Sequence, residues 1–320
     1  MLRSDTALTR LQTPWPTEVW LRVLVAHNPL TNVYGAARSL IALAALLTLA
    51  LNPLDNLFVR TSAGTASMKC EGFTATSLYC VAPSLELGRI IAVLVLSLVL
   101  VGISPRWTAV PFWWVLLSYQ QSASTIEGGD QVASIVALLI IVPSIIDGRW
   151  NHWLPGGSKL ADTETGRLLA LSFLFMVRLQ ASIIYLVAGV AKVAETDWQN
   201  GTALYYWMGH PVFGAPGWLQ PFLTPIQQSA TILALLSWGT IAFEIALAFM
   251  LFATARVRLV MLPLAVVFHL GIALTMGLTS FSMVMIALNI VSLHPWDSPL
   301  RRPKLFSTWR PKIRLSRRGA

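Results

Sequence analysis

Charge is what this sequence has least of. Only 12% of its 320 residues are Asp, Glu, Lys or Arg, about half the ~25% usual in soluble domains. Acidic residues are the scarcer kind, 14 against 23 basic ones. Cysteine is nearly absent, with two residues, which excludes a disulfide-stapled small domain. There is no Cys-x-x-Cys motif, and the five histidines are scattered, so no metal-ligand cluster emerges. Gly-rich phosphate loops and Gly-x-Ser-x-Gly elbows are also missing. ATP-driven pumping and α/β-hydrolase chemistry therefore have no footing.

Apolar residues fill the space that charge leaves. They make up 55% of the chain, and the mean hydropathy is +0.65, more apolar surface than a 35.1 kDa globule can hide. That excludes a disordered chain and an ordinary cytosolic enzyme, and implies a polytopic membrane protein. The net charge of +9 would suit nucleic acid, but eight of the 23 basic residues lie in the last twenty positions, just after an apolar run. A juxtamembrane basic tail of this kind marks the cytoplasmic side and attracts anionic lipid. Membrane lipid is thus an expected partner and nucleic acid is not.

A hydrocarbon core of roughly 30 Å needs about 20 apolar residues per helix, and tight bundles tolerate about 17. Windows of that size predict an all-α transmembrane bundle of about eight spans: 34–51, 85–103, 107–122, 130–147, 167–193, 229–253, 257–276 and 279–294. Every other loop is basic. With the N-terminus inside, 17 basic residues fall on inner segments and two, Arg60 and Lys69, on outer loops. The positive-inside rule then places both termini in the cytoplasm. The expected organisation is an interfacial segment over 1–33, a membrane domain over 34–296 and a basic cytoplasmic tail over 297–320. No h-region precedes a small-residue cleavage site, so Pro16–Leu30 is expected as a short interfacial helix with Trp15 and Trp20 at headgroup level. Cys70 and Cys80 share the first outer loop, where a structural disulfide is favoured over a redox pair.

Ionisable groups inside a span face the bundle interior and need partners. Arg178, Glu244 and His269 fall at similar depths when counted from the inner ends of their spans. An Arg178–Glu244 pair with His269 nearby is expected, as a structural ion pair before a catalytic group. A second polar cluster runs from Tyr185 to Phe213 near the outer face, with Lys192, Glu195, Asp197, Trp198, Tyr205, Tyr206, Trp207 and His210. A lysine at a span's end usually snorkels. On the acidic outer side, a partly desolvated one can act as a base or nucleophile. Asp130 and Gln131, after Glu127-Gly128-Gly129, should reach the same level. Asp130 reads equally well as a helix cap. The aromatics at 205–207 read as an interfacial belt before a ligand box.

At this segment the chain resembles the vitamin K-dependent γ-glutamyl carboxylase superfamily, or HTTM domain. The resemblance lies in three stretches. They are Ala188-Gly189-Val190-Ala191-Lys192 with Asp197-Trp198 and Gly201; Glu244, then Arg256 and Arg258, then Phe268-His269; and Asp147 through Trp153. Within it, the closest resemblance is to the SdpB family, through Gly128-Gly129-Asp130-Gln131, Asn151-His152-Trp153 and Trp198-x-x-Gly201-Thr202-Ala203-Leu204-Tyr205-Tyr206. Membership implies a bacterial membrane protein that acts with a smaller SdpA-type partner on a secreted precursor to yield an antimicrobial toxin peptide. In the carboxylases the lysine matching Lys192 deprotonates a quinol cofactor, so the resemblance implies a base at Lys192 and a quinone or quinol nearby. Those enzymes also use a histidine where this chain has Asp130-Gln131, which counts against glutamate carboxylation itself.

The leading expectation is a maturation factor whose outward-facing polar cavity is lined by Lys192, Asp130, Gln131, Asp197 and Tyr205. The runner-up is a non-enzymatic immunity protein, peptide chaperone or lipid-binding scaffold, for which the Lys192 amine would matter little. A small-solute transporter with Arg178, Glu244 and His269 as a relay comes third, because the chain shows no internal repeat.

Overall fold

The computed structural model describes residues 26, 28–60, 66–67, 70–211 and 213–300. The expected interfacial helix with Trp15 and Trp20, the Lys69 position and the tail beyond Leu300 lie outside them. The described residues form an all-α membrane bundle whose sole sheet is a two-residue pairing of Val59–Arg60 with Ala66–Ser67. In chain order the main helices are α1 (Asn32–Leu51), α2 (Leu85–Leu100), α3 (Pro105–Ser122), α4 (Gly128–Leu139), α5 (Ile141–Ile146), α6 (Glu164–Ala194), α7 (Thr196–Gln199), α8 (Ala203–Met208), α9 (Gln220–Gln227), α10 (Ala230–Ala248), α11 (Ala255–Met276) and α12 (Thr279–Leu293).

Local chemistry sets several helix starts. The side chains of Thr31, Ser84, Thr163 and Ser229 accept from Val33 N, Leu87 N, Gly166 N and Ile232 N, each satisfying a donor with no partner inside its helix. α11 stops at Gly277, whose φ of +68° closes the helix in the left-handed region.

Four helices are long and apolar enough to cross a membrane, not about eight: Asn32–Leu51, Glu164–Ala194, Ala230–Leu251 and Ala255–Met276. The other windows overstate helix length. α2 has 16 residues and α12 has 15. The 130–147 window is two helices, because Pro143 has no N–H for the Leu139 carbonyl, and α4 ends at Leu139. α3 has the length, but carries Thr108, Pro111, Ser118, Gln120 and Gln121. An apolar run records how much chain avoids water, but not where its hydrogen-bond ladder breaks.

α12 sits centrally, packed on α1, α11, α6 and α4. At the end of the bundle holding its C-terminus, a buried polar clamp joins three segments. Asp147 accepts from the Tyr34 hydroxyl, from Arg149 Nε at 2.8 Å and from Arg149 Nη2 at 2.7 Å. Arg38, only 1% exposed, donates to Ser144 Oγ at 2.6 Å and Thr108 Oγ1 at 2.8 Å. His152 is held well below its usual range, at about 3, by burial and by the charges of Arg38 and Arg149. Ser39 Oγ gives its hydrogen to the Leu100 carbonyl at 2.7 Å, so neutral His152 donates from Nε2 to Ser39 at 3.1 Å. At the other end, Cys70 and Cys80 are joined by a disulfide with Cα atoms 5.7 Å apart.

Candidate functional site

Lys192 stands in the last turn of α6, and Glu244 faces it from α10. Its Nζ lies 2.8 and 2.9 Å from the two Glu244 oxygens. Side-chain exposure is 22% for Lys192 and 9% for Glu244. The close approach depends on Gly189, one turn before Lys192: a Cβ there would meet Ile245 Cγ1 at 2.9 Å. Trp198 of α7 lies under the ammonium, 5.3 Å from Nζ to ring centre. Gly201 brings that tryptophan in. Its φ is +72°, and an added Cβ would lie 2.7 Å from Ala234 Cα, so the turn that follows α7 rests directly on the α10 backbone.

The pair opens into a cavity of about 420 Å³. Trp198, Trp207, Phe268 and Phe281 form its aromatic walls, with Ile272 and Met276 beside them. One ion pair in a mostly apolar chamber is the usual construction of a ligand site, in which few polar groups orient and the walls bind. Moving one proton from Nζ to the carboxylate would remove both charges at once. That transfer would leave an amine able to accept a proton or attack an electrophile.

The expected Arg178–Glu244 pair does not form. Arg178 Nε donates to the Ser292 carbonyl at 2.7 Å, and its guanidinium stacks 4.0 Å from the Trp296 ring centre. α6 runs well past the turn joining α10 to α11, so equal counts from the inner ends do not give equal depths. His269 meets Tyr185 instead, Nε2 to hydroxyl 2.8 Å. Asn289 Nδ2 donates to that hydroxyl at 2.6 Å, which turns its hydrogen toward His269 Nε2.

The five expected site residues do not share one cavity. Lys192 lines the chamber just described. Asp130 lines a second one, of about 700 Å³, with Glu127, Tyr119, Thr48, Asn52 and Ser280. Gln131 and Asp197 are exposed, and Tyr205 is half exposed, edge-on to Tyr206. The first turn of α12 separates the two chambers. Leu278 and Phe281 face the Lys192 side, while Thr279, Ser280 and Met283 face the other. Glu244, Thr240 and Phe281 were not assigned to the Lys192 chamber by sequence reasoning. The small residues Ala188, Gly189 and Ala191 around Lys192 were the available signal that another helix closes on that face. Among the described residues, no group of three or more His, Cys, Asp or Glu is placed to hold a metal ion.

Asp130 accepts from Glu127 N at 2.9 Å in a capping box. Burial pushes its carboxyl up from 3.8 to about 6, against that hydrogen bond, and the Glu127 charge adds to the rise. The folded chain then binds more protons than the unfolded chain between pH of about 4 and 6, so stability falls as pH rises through that window. Asp130→Asn keeps an acceptor for the cap and is expected to flatten the decline, as read from melting temperatures in detergent across that range. An unchanged slope would assign it to another group.

The HTTM domain matches residues 158–296, which contain the whole Lys192 chamber. Sporulation-delaying protein SdpB of Bacillus subtilis (strain 168) is 32% identical over 288 residues, covering 86% of this chain and 87% of that protein. Uncharacterized protein YitO of the same organism is 34% identical over 279 residues, covering 86% and 89%. No solved structure matches the chain. With most of both chains aligned and the site inside the matched domain, this multi-pass membrane protein belongs to the SdpB family, within the HTTM domain superfamily.

Proposed function

We propose that this protein acts in the maturation of an exported antimicrobial peptide, with a smaller SdpA-type partner, and that the Lys192–Glu244 chamber is where the peptide is processed or modified. Family membership supports the role, since a relative is named a sporulation-delaying protein. The observation that carries the site is the ammonium–carboxylate pair, 2.8 Å apart, at the edge of an apolar cavity. A bundle needing only a helix-to-helix tie would have no use for the adjoining space. In this reading Lys192 is the base or nucleophile and Glu244 holds its proton. Asp130 belongs to the neighbouring chamber. Asp197 and Tyr205 lie on the surface by which a peptide would arrive, and the Lys192 end of the bundle faces outward.

The test is the intact mass of the peptide secreted by cells carrying precursor, partner and this protein. Lys192→Ala and Glu244→Gln are compared with the parent at matched membrane abundance. Loss of the mature mass with accumulation of precursor is expected for both. Mature peptide at parental yield from Lys192→Ala would end the catalytic reading and leave a binding or immunity role.

A further inference from the structure

α10 and α11 follow each other in the chain, joined by the turn at Phe252–Thr254, yet they do not pack along their lengths. α11 leans on α12 instead, and only 11% of its span is buried. Both helices nonetheless line the Lys192 chamber, α10 with Thr240 and Glu244, α11 with Phe268, Ile272 and Met276. The space between them is therefore a side wall of that chamber. One ring contact crosses it, Phe243 to Phe268 at 5.1 Å. Beyond that contact, toward Met276, each rim carries a glycine: Gly239 shares a helix face with Phe243, and Gly271 with Phe268. A Cβ at either would meet nothing within 4 Å. The outer edges of the gap are exposed and apolar, with Leu236 on one side and Val267 on the other. Both helices are long and apolar enough to span the membrane, so this surface faces hydrocarbon.

We propose that the gap between α10 and α11 is a lateral portal, through which a ligand dissolved in the bilayer enters the Lys192 chamber. The ligand is a single apolar chain carrying one polar group, which comes to rest against Lys192 and Glu244. The lining sets the kind of ligand: four aromatic side chains around a single ion pair suit one polar group on an apolar chain. Continuity of apolar surface sets the route. From the exposed rims through Phe268 and Ile272 to the chamber, no charged side chain is met before the ion pair. A polar group travelling from water would instead pass the rim at Glu195. The portal goes beyond the maturation reading and holds whatever reaction the chamber hosts.

The route can be tested without knowing the ligand. Both native cysteines are disulfide-bonded, so Ile272→Cys places a lone thiol in the chamber wall. The full chain, reconstituted in phospholipid vesicles, is labelled with N-dodecylmaleimide or with a membrane-impermeant sulfonated maleimide, each rate normalised to the SDS-unfolded protein. Labelling by the dodecyl reagent is expected to be about tenfold faster. Adding Gly239→Trp and Gly271→Trp is expected to slow it about tenfold. The pair Gly239→Ser and Gly271→Ser, small enough to leave the gap open, should keep the parental rate and shows that the fold survives substitution there. Dodecanol in the vesicles should also slow labelling, whereas a 20-residue Leu/Ala helix should not. Equal rates for the two reagents, or no effect of the tryptophans, would overturn the portal. Competition by the helix instead of the alcohol would overturn the single-chain ligand.

Discussion

Asp147→Ala is expected to cost about 3–5 kcal/mol of stability, the usual penalty for stranding one half of a buried ion pair. Asp147 is 1% exposed and Arg149 6%, so solvent replaces neither partner. Truncation leaves the Arg149 guanidinium without its carboxylate, while the weaker bonds to Leu154 O and Thr31 O, both 3.3 Å, remain. It also takes the acceptor from the Tyr34 hydroxyl. Tyr34→Phe removes one neutral donor and should cost about 1 kcal/mol. Thermal unfolding in detergent, followed by tryptophan fluorescence, separates the two. Equal small losses would show that water reaches the clamp. The clamp matters to the site because it fixes α1 against the segment after α5, and α1 braces α12, whose first turn walls both chambers.

Lys192→Met should destabilise the protein more than the double change Lys192→Met with Glu244→Leu. The single substitution leaves a nearly buried carboxylate with neither of its Nζ bonds, and about 3 kcal/mol is the expected loss. The double substitution replaces the pair with apolar groups of similar volume, which buried pairs commonly tolerate at little cost. Melting temperatures of parent, both singles and the double give the coupling energy. The double variant should also yield no mature peptide, which separates a folding role from a chemical one. If instead the double is less stable than either single, the pair contributes to stability on its own account. Wild-type yield from the folded double would remove the chemistry from this chamber.

Much of this architecture could be read from residue types alone. Apolar runs located the helices, and Thr31, Thr163 and Ser229 mark the starts of three of the four long spans. Lys192 stood out because a lysine beside acidic and aromatic residues at a span's end is unusual. The span count was not legible, since Pro143 and the polar side chains of α3 shorten what looks continuous in a hydropathy window. The ion pair was missed for a related reason. Counting residues from helix ends assumes that the ends lie at one height, and α6 with its 31 residues overruns α10 with its 19. Asp130 was placed with Lys192 because level along the membrane normal is readable and azimuth around the bundle is not. One turn of α12 between them is enough to put the two residues in different chambers.

That partition has a thermodynamic consequence. Phe281 forms a wall of the Lys192 chamber, while Glu127 lines the other and Gly129, two residues on from Glu127, presses against the Phe281 backbone. A molecule that pushes Phe281 aside therefore disturbs the acidic chamber in the same movement. Linkage is symmetric: whatever factor filling the first chamber applies to affinity in the second, filling the second applies to the first. Any coupling between ligands in the two cavities would pass through Phe281, the side chain set between them.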